Sequence, residues 1–228
     1  FDIKNKLIRS IHKDSFSDDP TRIFRAIKYS SRLSFIIEKE TLKELKSKSN
    51  LINDLTSSRI LNEIKKTLDE PNPNHLINNL IKFNIFKYFF DVNDINVNFK
   101  KVPHSISNYD YLILYFTYTK EDDLSEYLNK FDNSKSLKLK VDQIKNIKAA
   151  INHITINEYK NFPEDIYMSI KNIPTSIFEV YKTFGKYKEV LANIMEKLSK
   201  SKPQLDFNDM KNLGFTNPAE IGKLLIKN

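Results

Sequence analysis

Apolar side chains recur along this chain every three or four residues and rarely at alternate positions, a period that belongs to helices rather than strands. Asp19-Pro20 predicts a helix start, with Asp19 as N-cap and Pro20 at the first helical position. Ile23, Phe24 and Ile27 then give that helix one apolar side as far as about Leu33. Glu38 to Leu45 reads as a second helix. Thr56 or Ser57 can cap a third, reaching about Leu68 with Ile60, Leu61, Ile64 and Leu68 on its apolar face. Asn72-Pro73 opens a fourth, with Leu76, Leu80 and Ile81 inward. After Phe90 a polar, irregular stretch runs to about Ser105 and is the best candidate for a boundary. Beyond it, helices are predicted over Tyr109 to Tyr118, Asp122 to Phe131, Leu137 to Ile154, Pro163 to Ile170, Pro174 to Phe184 and Tyr187 to Leu198. Ser199 to Pro203 reads as a linker, and Phe207 to Asn228 as two short helices around Leu213-Gly214-Phe215-Thr216-Asn217-Pro218. Only Ile95 to Phe99 and Ile154 to Ile156 suit strands, and both runs are short. The expected fold class is all-α, with no repeat of fixed period to suggest a solenoid.

Composition narrows the function classes. The 228 residues suffice for one large domain or two small ones, and 40% hydrophobic residues with 12% aromatics can build a core. Three glycines are too few for Gly-rich phosphate loops or a many-turned β architecture. Without cysteine there is no disulfide framework and no thiolate metal site, which fits a reducing compartment. No apolar run approaches the ~20 residues of a membrane span and no secretory signal is visible, so a cytoplasmic location and no membrane partner are expected. The opening at Phe1 shows no cap or targeting pattern, and the chain is read as starting inside a larger protein. A formal net charge of +8 favours a polyanionic partner.

The chemistry-bearing residues are few. His12, His75, His104 and His153 are too scattered for a metal pattern, and neither a zinc-type H-E-x-x-H nor a G-x-S-x-G elbow occurs. Asp91 to Asp94 and Asp122-Asp123 read as loop or cap acids. Lys135, Lys138, Lys140, Lys145 and Lys148 can form a basic helix face, and Lys186, Lys188, Lys197, Lys200 and Lys202 another nearer the end; a solvated face explains either as well. Tyr109, Tyr111, Tyr115 and Tyr118 read as core rather than as stacking platforms.

The most informative run is Asp18-Asp19-Pro20-Thr21-Arg22-Ile23-Phe24-Arg25-Ala26, preceded by Asp2 and Lys4-Asn5-Lys6-Leu7-Ile8-Arg9 and followed by Arg32-Leu33-Ser34-Phe35. Together these resemble the signature of the class II (bacterial-type) tRNA nucleotidyltransferases, the CCA-adding enzymes and their poly(A) polymerase relatives. Ser57-Ser58-Arg59-Ile60-Leu61-Asn62-Glu63 is similar to the family's neck-helix motif, with Ser58 where that motif has Glu. Leu213-Gly214-Phe215 with Pro218-Ala219-Glu220-Ile221-Gly222 resembles its tail motif, with Ala219 where Gly is usual.

The resemblance implies a multi-helix neck, body and tail without the catalytic head. On it, 1–17 is a joint following the head, 18–90 the neck, 91–105 a linker, 106–200 the body and 201–228 a tRNA-binding tail. Asp19 and Arg22 are implied as readers of the incoming base, with Asp18 and Arg25 beside them. Asp2 and Arg9 are implied at the joint, and Arg59 and Glu63 as braces for the nucleotide site. Arg32, Lys138, Lys145 and Lys223 are the residues suggested for RNA contact. The chemistry fits the spacing: residues three apart at a helix start share a surface. A carboxylate accepts from the exocyclic amine of C or A while a guanidinium donates to the ring nitrogen or carbonyl beside it, so the pair can imitate a complementary base edge. A plainer reading makes Asp19 an ordinary cap and Arg22 an exposed charge. The implied activity is addition of CCA, or A alone, to tRNA 3′ ends from CTP and ATP, with Mg2+ in the head and the tRNA acceptor and TΨC arm as partner. No catalytic or metal-ligating residue is assigned to this chain. A poly(A) polymerase, a non-enzymatic helical RNA-binding module and a protein-binding helical scaffold stay open as alternatives.

Overall fold

The computed structural model describes residues 1–90, 95–119, 124–157, 164–184, 188–200, 207–218 and 220–221. It divides into two compact units, one of Phe1–Lys145 with Thr175–Phe184, the other of Asn146–Pro174 with Gly185–Asn228. The expected all-α class holds, with one small exception at the start.

In the first unit a two-residue strand β1 (Leu7–Ile8) leads to a short helix α1 (Ser15–Asp18) and then to α2 (Thr21–Leu33). Strand β2 (Ile36–Ile37) returns parallel to β1, pairing Leu7 with Ile36 and Ile8 with Ile37. Two residues per strand leave no period to detect, so the sequence carried no signal for this pair. Between them α2 ends on Ser34 in the left-handed region (φ 54°), whose N–H closes back on Ser30 and Ser31 carbonyls.

Helices α3 (Lys39–Lys48), α4 (Ser57–Leu68) and α5 (Pro73–Lys82) start at capped ends. The Glu38 carboxylate accepts from the Thr41 N–H and hydroxyl, both at 2.9 Å. Thr56 and Asn72 accept from the N–H three residues on, and Pro73 fills the first position of α5. The apolar face of α2 lies against α4 and α5, burying Ile23, Phe24 and Ile27. On α5 the buried residues are Pro73, Leu76, Ile77 and Leu80, and Ile81 is only half-buried, a small rotation from the expected face.

Helices α6 (Asn108–Thr119) and α7 (Ser125–Phe131) pack on α4, and α8 (Lys135–Asn157) follows. Tyr111, Leu112, Ile113, Leu114 and Phe116 are all buried, so α6 is covered on every side, which is the position of a central helix. Phe90 meets the rings of Phe86, Phe116 and Tyr127, with centroid separations of 5.5, 4.3 and 4.4 Å. Across α4 and α7, Lys65 Nζ bonds Asp132 at 2.9 Å and lies 4.6 Å over the Tyr109 ring. Helix α10 (Thr175–Thr183) closes on α6, where Tyr111, Tyr115 and Tyr118 meet Phe184. These tyrosines belong to the core, as expected.

Both expected strands are corrected. Residues 95–98 take no regular structure and 99–101 form a 3-10 turn. The side chain of Asn74 supplies what a neighbouring strand would: its Nδ2 donates to Val97 O at 2.6 Å and its Oδ1 accepts from Phe99 N at 3.2 Å. Residues 154–156 lie inside α8, carried by a helix whose Ile147 and Ile151 are buried one turn apart.

The second unit contains the end of α8, then α9 (Glu164–Ile170), α11 (Lys188–Lys200) and α12 (Phe207–Asn212). Its core draws on Ile147, Ile151, Ile166, Ile170, Leu191, Ile194, Met210 and Ile221. Gly214, at φ 94°, ends α12: its N–H bonds Lys211 O and the next N–H, of Phe215, bonds Met210 O. That is the left-handed helix stop glycine permits without strain. Among the described residues no helix is long and apolar enough to cross a membrane.

Because Ile27 is fully buried where α2 meets its partners, Ile27→Ala should cost about 2–5 kcal/mol through the lost transfer energy and the cavity left behind. Urea unfolding should show this as a lower midpoint at unchanged slope.

Candidate nucleotide-facing site at the start of α2

Helix α1 ends at Asp19, whose extended backbone (φ −147°, ψ 97°) turns the chain into Pro20 and α2. The helix therefore begins one residue later than expected, at Thr21, with Pro20 as the half-in residue, a shift within the usual ambiguity of helix ends. Asp19 still caps it. Its Oδ1 accepts from the Thr21 N–H at 3.1 Å and the Thr21 hydroxyl at 2.6 Å. The same oxygen accepts from Arg59 Nη2 of α4 at 3.2 Å. All three bonds fall on one oxygen, and among the described residues Oδ2 makes none.

Burial, the largest single cause, pushes the Asp19 carboxyl up, and the two Thr21 hydrogen bonds work against it. The charges of Arg25 and Arg59 add to them, and the net pKa lies below the ordinary 3.8. Asp19 is therefore a carboxylate at neutral pH, an acceptor only.

Arg22 sits three residues on but does not pair with Asp19. Its Nη1 donates to Ser15 of α1, to the carbonyl at 3.2 Å and the hydroxyl at 2.9 Å. Arg25, one turn further, is exposed, and so is Tyr29. Arg32 is exposed at the last turn and approaches Glu70 at 3.8 Å.

The remaining predicted residues divide. Asp2 and Arg9 do meet, at 3.3 Å, across the turn before β1. Asp18 faces His12 at 3.4 Å rather than joining Asp19. Arg59 and Glu63 are not the surface pair their spacing suggests. Arg59 reaches to Asp19, while Glu63 is buried and its Oε1 takes Lys66 at 3.2 Å. The reason is rotation: packing of Ile60 and Ile64 turns Glu63 inward and leaves Arg59 on the outside near α2. Of the predicted basic face on α8, Lys138 is bound to Asn129 at 2.9 Å and Lys140 to Asp110; Lys145 is exposed. Lys223, Lys186, Lys202, Ala219 and Gly222 lie outside the described residues, as do Asp91 to Asp94 and Asp122-Asp123. Among the described residues no three His, Asp or Glu converge as metal ligands would. Ser15 and Thr21 belong to the site and were not foreseen. Ser15 is seven residues from Arg22 and in a different helix, so no helical spacing connects them.

Residues 34–94 match the protein family described as "Probable RNA and SrmB- binding site of polymerase A". Over 71 residues, 30% of this chain, the sequence is 42% identical to an A-adding tRNA nucleotidyltransferase of Aquifex aeolicus, of which the match covers 9%. Of this chain, 99% superposes on a CCA-adding enzyme solved with ATP, with a TM-score of 0.72 at 23% identity, spanning 58% of that enzyme. The CCA-adding enzyme of Thermotoga maritima, solved with tRNA-CCA, superposes on 99% with a TM-score of 0.70 at 22% identity, 60% of it covered. At such identities the likeness speaks for the fold. The chain spans under two thirds of the length of each of these relatives.

The electrostatics at Asp19 make a titration testable. Its pKa is depressed on folding, so its contribution to stability is present above 3.8 and is lost as pH falls through the lower folded value. Thr21→Val should raise the Asp19 pKa more than Arg59→Ala does, since the Thr21 bonds are the larger lowering cause. Carbon-detected NMR titration of the Asp19 carboxyl measures both; the reverse order would place the control with Arg59 instead.

Proposed function

We propose that this chain, which has the helical fold of the CCA-adding enzymes and the sequence signature of the class II tRNA nucleotidyltransferases, supplies the base-selecting neck and the tRNA-gripping body and tail of such an enzyme. CTP and ATP are its nucleotides, the acceptor and TΨC arm of tRNA its nucleic-acid partner, and the cytoplasm its compartment. The observation that carries the reading is the state of Asp19 and Arg22. Each is tied down through a single atom, Oδ1 and Nη1, and they do not neutralise each other.

The chemistry of selection follows from that arrangement. Asp19 accepts from the exocyclic amine of C or A, and Arg22 donates to the ring nitrogen beside it. U and G present the opposite order, a carbonyl where the amine should be and an N–H where the acceptor should be, so each would leave both protein groups unsatisfied. A pair read this way discriminates by about 1–3 kcal/mol for each good bidentate contact. Arg25 and Arg32, exposed further along the same helix, suit triphosphate or RNA phosphate. The formal charge of +8 suits RNA as a whole.

Among the described residues no cluster of ligands gathers for Mg2+; its carboxylates would be those of the head. By itself the chain should incorporate no nucleotide.

In the full-length enzyme, Asp19→Ala or Arg22→Ala should lower the preference for CTP over UTP and for ATP over GTP by about tenfold or more, with tRNA affinity nearly unchanged. Single-nucleotide incorporation alongside filter binding separates the two effects. Normal fidelity in both variants refutes base reading. A matching loss of tRNA affinity with fidelity intact favours an RNA-binding module instead.

A further inference from the structure

Asp19 stands just before α2 and Arg22 in its first turn, three residues on, near enough in sequence for the two charges to pair. Here that pairing would be ruinous, because a closed Asp19–Arg22 salt bridge would use the acceptor and the donor that the base needs. The structure keeps them apart by giving each another partner. For Asp19 these are Thr21 and Arg59, as described. For Arg22 the partner is Ser15, through two bonds to one guanidinium nitrogen, the hydroxyl at 2.9 Å and the carbonyl at 3.2 Å.

Ser15 is suited to that task. It is 4% exposed, so its side chain is enclosed and its oxygen cannot follow a moving arginine. Neighbouring Phe16, also buried, anchors α1, which packs on both α2 and α3. The hydroxyl therefore offers a fixed point on a separate element, and the arginine stem rises from the first turn of α2 toward it. Two bonds to one nitrogen set the direction of the guanidinium, and among the described residues its other nitrogens make no hydrogen bond.

We propose that Ser15 is a specificity-determining positioning residue, which tethers Arg22 away from Asp19 and so keeps the base-reading edge open before any nucleotide arrives. This rests on the base-reading role of Arg22 proposed above. Ser15 itself touches no substrate. Loss of its hydroxyl leaves only the longer bond to the carbonyl, which loosens Arg22 toward Asp19 and weakens discrimination without removing either reader.

The test is a double-mutant cycle in the full-length enzyme, measuring kcat/KM for CTP against UTP and for ATP against GTP. Ser15→Ala should reduce both ratios by about 5- to 30-fold, less than the full loss of a hydrogen bond to a charged group because the carbonyl bond remains. Ser15→Cys, of similar volume but a poor acceptor, should do the same and serves if the alanine variant does not fold. On an Arg22→Ala background, Ser15→Ala should change nothing further. If Ser15 were merely structural, its effect would persist on that background, and the proposal would be overturned. Unchanged ratios in both Ser15 variants, with Arg22→Ala still losing fidelity, would sink Ser15 alone. An Arg22→Ala enzyme of normal fidelity would instead sink the base-reading role beneath it.

Discussion

The first unit is organised by the constraint that α2 must bury one face between α4 and α5 from its first turn onward. Thr21, Ile23, Phe24, Ile27 and Ser30 are all enclosed. That fixes the rotation of the helix about its axis, and with it the side on which Arg22, Arg25 and Arg32 emerge. The core thus aims the site. A helix free to roll would present its arginines to any side, and no pairing on its surface is strong enough to stop it.

The ion pair between Arg59 and Asp19 illustrates how little of this is electrostatic stability. Arg59 is over half exposed, and such pairs contribute roughly 0–1 kcal/mol. What the contact does is geometric. Together with Thr21 it engages one carboxylate oxygen, so the other has a defined direction. A half-buried counterpart lies across α4 and α7, where Lys65 holds Asp132 beside Tyr109. There burial raises the Asp132 carboxyl, and the Lys65 and Ser134 bonds bring it back below its ordinary value.

Aromatic contacts carry the longer connections within this unit. Phe24 of α2 meets Phe89 at 5.3 Å, Phe86 meets Phe90, and Phe90 meets both α6 and α7. Rings at these tilted and stacked separations add to simple area burial. The helices before residue 91 and those after residue 105 consequently share rings, even though the segment between them has no regular structure at 95–98.

Helix positions were legible in the sequence because capping and period are local: Asn72-Pro73, Thr56 and the Ile60–Ile64–Leu68 stripe act within one or two turns. The Asp-Asp-Pro-x-Arg motif was legible for the same reason. Hidden from it were the features joining residues distant along the chain. The β1–β2 pair is too short to show a period. Asn74 replaces a strand partner at 95–99 through a side chain some twenty residues away. Glu63 turns inward by the roll of α4, and Arg59 finds Asp19 rather than its i+4 neighbour. Ser15 meets Arg22 only because α1 folds back on α2. The amino-acid order therefore determined which helices exist and which charged residues stand at the start of α2; tertiary packing alone decided which partner each charge takes, since that depends on helix rotation, and rotation is set by burial across the whole core.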